Sequence, residues 1–259
     1  MDLFQLDTLS LFSFFLTLIR ISLVLFLLPF FGGEGIPKSV KGALCLVLTL
    51  SLWPTLSFSG VLLPASPWDL LLLILGELLL GLVMGLMVRF IFAAVQTGGQ
   101  VIGFQMGFSM VNAVDPDTGA SEGVAAHFLY MIALLTFLSL NGHLVMLKGL
   151  AVSFKLVPPG ALLVTEGLTR VVFSASAQMF VLAIKMAAPV IAAIFLVDLA
   201  LALISRAAPQ MNVLLIGFPL KIGVGFLFLG LLFTLLAQNM EAFVSRMLPM
   251  FNQLMRAGM

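Results

Sequence analysis

Six apolar runs, roughly 9–31, 39–57, 68–95, 124–141, 168–205 and 213–237, fill most of the chain and leave it few ways to fold. A helix crossing a bilayer needs about 20 predominantly apolar residues to cover a hydrocarbon core about 30 Å thick. The second and fourth runs have that length. The fifth, at ~35 residues, would make a straight helix ~50 Å long. Pro189 near its middle predicts a kink. The third run is also over-long and continues into a polar, glycine-rich stretch after Val95. An open sheet cannot satisfy its backbone in lipid, and the alternating pattern of a membrane barrel is absent. The expected class is therefore all-α, with membrane-associated helical hairpins and long kinked helices. Only 9% of the residues are charged, whereas soluble domains carry about 25%.

Charge in the connections does not give a simple row of spans. Lys38 and Lys41 place the first connection on the cytoplasmic side. Strict alternation then puts Lys148, Lys155, Arg246 and Arg256 outside, against the positive-inside rule. Failed alternation and over-long runs point the same way, to tilted, broken or partly extra-membrane helices. The start, MDLFQLD, is acidic where a cleaved leader would be basic, so the first helix is expected to be retained. Short polar connections at Asn112–Gly123 and Ala207–Asn212 predict helical hairpins, and Asn141-Gly142-His143 reads as a helix end. Cys45 reads as a small buried hydrophobe.

Six charges, Arg20, Glu77, Arg89, Lys185, Asp198 and Lys221, lie in or at the edges of apolar runs. Each would cost ~2.5–3.5 kcal/mol or more facing lipid at mid-span, so they must face one another, a partner or water. Asp198 and Lys221 are about equally far from a turn near Pro209 and Gln210, which predicts that they meet across an antiparallel hairpin. Gly81 and Gly85 form a G-x-x-x-G, and Gly99, Gly103 and Gly107 repeat the four-residue spacing. Such stripes let helix backbones approach closely in membranes.

The stretch GGQVIGFQMGFSMVNAVDPDTGASEG (98–123) changes character abruptly. Its glycines weaken a helix by ~0.8–1 kcal/mol each relative to alanine. Met106, Phe108 and Met110 interleave with small residues, and Asp115-Pro116-Asp117-Thr118-Gly119 reads as a turn. One reading is an ordinary inter-helix loop. The sharper one is a movable plug, because soft methionine and phenylalanine side chains can seal a conduit and repack, and hydrophobic constrictions gate by excluding water.

Catalytic chemistry has no positive support. H-E-x-x-H, G-x-S-x-G and P-loop patterns are absent, and His127 and His143 lack Cys, Asp or Glu at metal spacing. No catalytic, cofactor-binding or metal-binding residue is expected. A net charge of +1 without basic runs gives no reason to expect nucleic acid.

Three stretches, IRISLVLFLLPFFGGEGIPKSVKGAL (19–44), GELLLGLVMG…GFQMGFSMVNAVDP (76–116) and SRAAPQMNVLLIGFPLKIG (205–223), together resemble the FliR family of the type III secretion export apparatus. The resemblance implies an export-gate subunit over 1–259, with a FliP-like portion (1–165) followed by a FliQ-like hairpin and tail (166–259). It implies assembly with several copies of FliP and FliQ, with FlhB wrapped around the gate and FlhA beneath it. The implied cargo is unfolded secreted protein, and the implied location is the bacterial inner membrane at the flagellar basal body. The plug loop would run from about Met106 to Glu122, with Met106, Phe108 and Met110 as its seal and Asp115, Pro116 and Gly119 setting its shape. Arg20, Glu77 and Arg89 would make contacts within the subunit or with FliP. The PQMN-to-PLKI stretch and the Gly-Gly-Glu-Gly turn look more like flagellar than virulence members. Buried charges and broken helices also occur in small-molecule and ion transporters, the rival class.

Overall fold

The computed structural model describes residues 8–32, 35–55, 64, 66–108, 123–159 and 165–258. Among these residues the regular structure is helical throughout: α1 (Thr8–Leu27), α2 (Pro29–Gly32), α3 (Lys38–Leu52), a 3₁₀ turn (Trp53–Thr55), α4 (Pro67–Gln105), α5 (Val124–Ser139), α6 (Gly142–Leu156), α7 (Glu166–Ala207) and α8 (Val213–Ala257). The all-α expectation holds. Among the described residues four helices, α1, α4, α7 and α8, are long and apolar enough to cross a membrane, and α5 with α6 supplies a fifth if the two form one broken span.

Three elements differ from the sequence reading. The fourth run ends at Ser139, and a separate helix, α6, follows where only a lysine-bearing connection was expected. The break is Asn141, which takes the left-handed conformation at φ 56°, a local geometry that asparagine tolerates better than most residues. Helix α6 is amphipathic: Met146, Gly149, Leu150, Ser153 and Phe154 are buried, while Lys148 and Lys155 are exposed. Its buried positions recur at three- and four-residue spacing, a signal that a search for apolar runs overlooks. Helix α4 continues through Gly98, Gly99 and Gly103 to Gln105, past the end of its run. A Cβ on Gly98 would lie 3.0 Å from the Ala183 carbonyl oxygen, and one on Gly99 would lie 2.6 Å from Ala126 Cα. The glycines that lower intrinsic propensity are thus the residues that admit neighbouring backbone, and packing offsets the propensity. Helix α8 also outruns its segment, to Ala257, because Met240, Val244, Met247, Phe251 and Leu254 continue a buried stripe past the apolar run. Pro189 lies inside α7, which runs on through it to Ala207.

Packing divides the chain into two compact units, Met1–Phe90 with Asn141–Ala175 and Val244–Met259, and Ile91–Leu140 with Ser176–Phe243. In the first, the G-x-x-x-G of α4 lies on α1. A Cβ on Gly81 would be 3.1 Å from the Arg20 carbonyl oxygen, and one on Gly85 2.5 Å from Leu27 Cβ. Gly149 of α6 admits the Phe251 ring, since a Cβ there would lie 2.5 Å from its Cδ2. Trp53 Nε1 donates to Ser13 Oγ at 3.0 Å and holds the 3₁₀ turn against α1. Thr165 Oγ1 donates to the Ala257 carbonyl and ties the start of α7 to the end of α8. In the second unit, Phe92 meets Tyr130 and Phe137 edge-on, and Phe128 meets Phe233 in the same way. The turn between α7 and α8 at Ala208–Asn212 makes the expected hairpin.

Candidate functional site

The first cluster is built on Arg20 of α1, which is 1% exposed. Its Nε donates to Glu77 Oε2 at 2.5 Å, and its Nη2 to Glu77 Oε1 at 2.8 Å. This is the two-pronged geometry in which a guanidinium and a carboxylate match best. Nη1 donates to Ser153 Oγ at 3.2 Å, and both Nη atoms reach the Val157 carbonyl, at 3.2 and 3.1 Å. The guanidinium therefore has a partner in each donor direction. Its carbon also lies 4.1 Å from the centre of the Phe154 ring. Val157 follows the last residue of α6, where helix carbonyls lack intrahelical partners and attract positive charge. Arg20 thus joins α1, α4 and the end of α6. Ser153, Phe154 and Val157 were missed in the sequence. A serine three residues after a buried leucine is a weak hint, and a backbone carbonyl leaves no sequence signal at all.

The second cluster lies on the α7–α8 hairpin. Lys221 Nζ sits 2.5 Å from Asp198 Oδ1, so the structure brings these two residues together. Beside them is a cleft of about 310 Å³ lined by Leu201, Ser205, Gly217 and Phe218 among others. The third cluster is where the chain leaves α4. Met106 is fully buried, with a Cβ on Gly225 of α8 calling for space 2.6 Å from Met106 Cγ and 2.7 Å from its sulfur. Gly107 has φ +87° and would bring a Cβ within 2.9 Å of the Phe218 ring. Here both the backbone angle and the space call for glycine. Phe108 meets Phe226 edge-on at 6.4 Å. Met106, Gly107 and Phe108 are therefore seated on one stretch of α8, between Phe218 and Phe226. Those α8 residues were not singled out in the sequence, although GFPLKIGVGF repeats the glycine-phenylalanine texture of the segment it receives.

The remaining sequence candidates separate plainly. A Cβ on Gly103 would make only ordinary contact, at 3.7 Å from Ala125 Cβ. Arg89 and Lys185 are exposed. Met110, Asp115, Pro116 and Gly119 lie outside the described residues. Among the described residues no group of His, Cys, Asp and Glu is arranged to hold a metal ion.

The order of these elements, a glycine-bearing helix leading into a Met-Phe stretch and then a charged helical hairpin, follows the three stretches that carried the family resemblance. The family model for bacterial export proteins, family 1, matches residues 11–247. The chain is also 37% identical over 222 residues to the flagellar biosynthetic protein FliR of Bacillus subtilis, covering 84% of each. The chain belongs to the FliR family. Other FliR relatives are the Escherichia coli protein, 33% identical over 228 residues with 88% of this chain and 87% of the relative covered. The Aquifex aeolicus protein is 30% identical over 226 residues, covering 87% of each. This FliR-family chain is thus an all-α membrane protein of a bacterial export family, similar to flagellar members along most of its length.

Proposed function

We propose that this chain is a subunit of the flagellar type III protein export gate, in the bacterial inner membrane at the flagellar basal body. In this reading it forms a protein-conducting pore with several copies of FliP and FliQ, and unfolded secreted proteins pass through. FlhB wraps the gate and FlhA lies beneath it. The segment from Met106 to Glu122 is the plug that keeps the pore closed. The observation that supports this best is the seating of Met106, Gly107 and Phe108 on α8. An apolar segment held by soft contacts against glycine and phenylalanine can be released and reseated, as a plug must be. The names of the relatives favour the flagellar over the virulence system.

Purification from cells that make the whole apparatus tests the assembly. The tagged full-length chain should bring down FliP and FliQ in multiple copies, and made without them it should be unstable in the membrane. A chain that is stable and dispersed alone, with neither companion bound in the native strain, contradicts the reading.

A further inference from the structure

We infer that the face of α7 around Lys185 docks an apolar membrane helix of a neighbouring, different subunit, and that this helix carries an aspartate or glutamate that meets the lysine. The inference rests on the reading of the chain as one subunit of an assembly. Lys185 is exposed about five turns from the start of α7 and about six from its end (at 3.6 residues per turn). Close to it the exposed surface is apolar: Val181 and Ile184 precede it, and Ala188, Ala192 and Phe195 follow, with exposed Gln178 two turns toward the start of the helix. Acyl chains offer an ammonium no partner, so intramembrane cations pair with protein groups or face water.

Two further features mark this turn as a place for protein rather than lipid. Pro189 has no N–H to give to the Lys185 carbonyl four residues back, so that carbonyl lacks its usual helical donor. Backbone groups freed in this way within a membrane helix are satisfied by neighbouring helices, hydroxyl side chains or ordered water. Ala188 and Ala192, spaced by four, leave room for a second helix backbone to come close. A second copy of this chain is a poor occupant. The carboxylates deep in its apolar runs, Glu77 and Asp198, are already held by Arg20 and Lys221. Asp69 at the start of α4 accepts from Ser66 Oγ, and Glu241 of α8 lies beyond the end of the sixth run. The chemistry therefore selects a different polypeptide with a lone intramembrane carboxylate.

The test uses the full-length chain in membranes with its natural companions, treated with a hydrophobic carbodiimide that couples an amine to a carboxylate in contact. The expected product joins Lys185 to an Asp or Glu in an apolar helix of another subunit. Lys185→Arg should keep the assembly and lose the cross-link, because it keeps the charge without the reactive amine. Lys185→Glu should lower copurified partner about tenfold or more by placing like charges together. Exchanging the partner's carboxylate for lysine in that background should restore it. Copurification of Lys185→Glu within twofold of native, or coupling of Lys185 to lipid or to a second copy of this chain, overturns the docking inference while leaving the export-gate reading intact. Failure of the native chain to bring down any companion overturns the export-gate reading, and the inference falls with it.

Discussion

Arg20→Met is expected to destabilise the protein by about 3–5 kcal/mol, the usual cost of removing one partner of a buried ion pair. The loss follows from what remains. Glu77 is as buried as Arg20 and would keep a carboxylate without the cation that now holds it. The Val157 carbonyl and Ser153 would lose their donor at the same time. That cost is a large part of the 5–15 kcal/mol that holds an average domain. The chain should accumulate poorly in membranes and become sensitive to protease around α1 and α6. Glu77→Met alone should be as damaging, because it strands the guanidinium. The double variant Arg20→Met with Glu77→Met should recover much of the loss, since apolar replacements of a buried pair are often tolerated. Melting temperature and protease resistance in detergent check all three variants. Single variants that melt within a degree or two of the native protein would show that the cluster does not hold α1, α4 and α6 together.

Gly225→Val is the second large effect. A Cβ at this position would lie 2.6–2.7 Å from three atoms of Met106, where carbon atoms pack best at about 3.5–4.0 Å. Met106 must leave its seat, and overpacking of this kind costs about 1–3 kcal/mol. Phe108 on Phe226 and Gly107 on Phe218 then have to shift as well. If the seat holds a plug, ion flux through assembled gates should rise roughly tenfold or more, because an apolar constriction that does not close cannot exclude water. Adding Met106→Ala should restore stability by removing the clash while leaving the leak. A stable, assembled Gly225→Val gate with native permeability would separate the seat from closure.

Much of the fold was legible because membrane burial writes long apolar runs into a sequence. The α7–α8 hairpin and the Asp198–Lys221 meeting followed from equal distances to one turn. The break at Asn141 was visible in its Asn-Gly dipeptide. Other elements were hidden for physical reasons. Helix α6 is short and carries Lys148 and Lys155, so it reads as a connection while its buried face goes unnoticed. The extension of α4 to Gln105 runs against propensity, and only the backbone of Ala126 and Ala183 explains it. Arg20 and Glu77 were both singled out, yet their partnership spans residues far apart in the chain and has no turn between them to count from. The seat at Phe218, Gly225 and Phe226 escaped notice because glycine and phenylalanine are common in any apolar helix.

If the stretch that follows α4 closes a protein-conducting gate, as proposed, then deleting Met106–Gly119 in cells with the complete apparatus should leave gates that still assemble in a membrane that leaks ions and small solutes, read as flux across that membrane. Assembled gates in a membrane as tight as the native one would contradict the proposed closure.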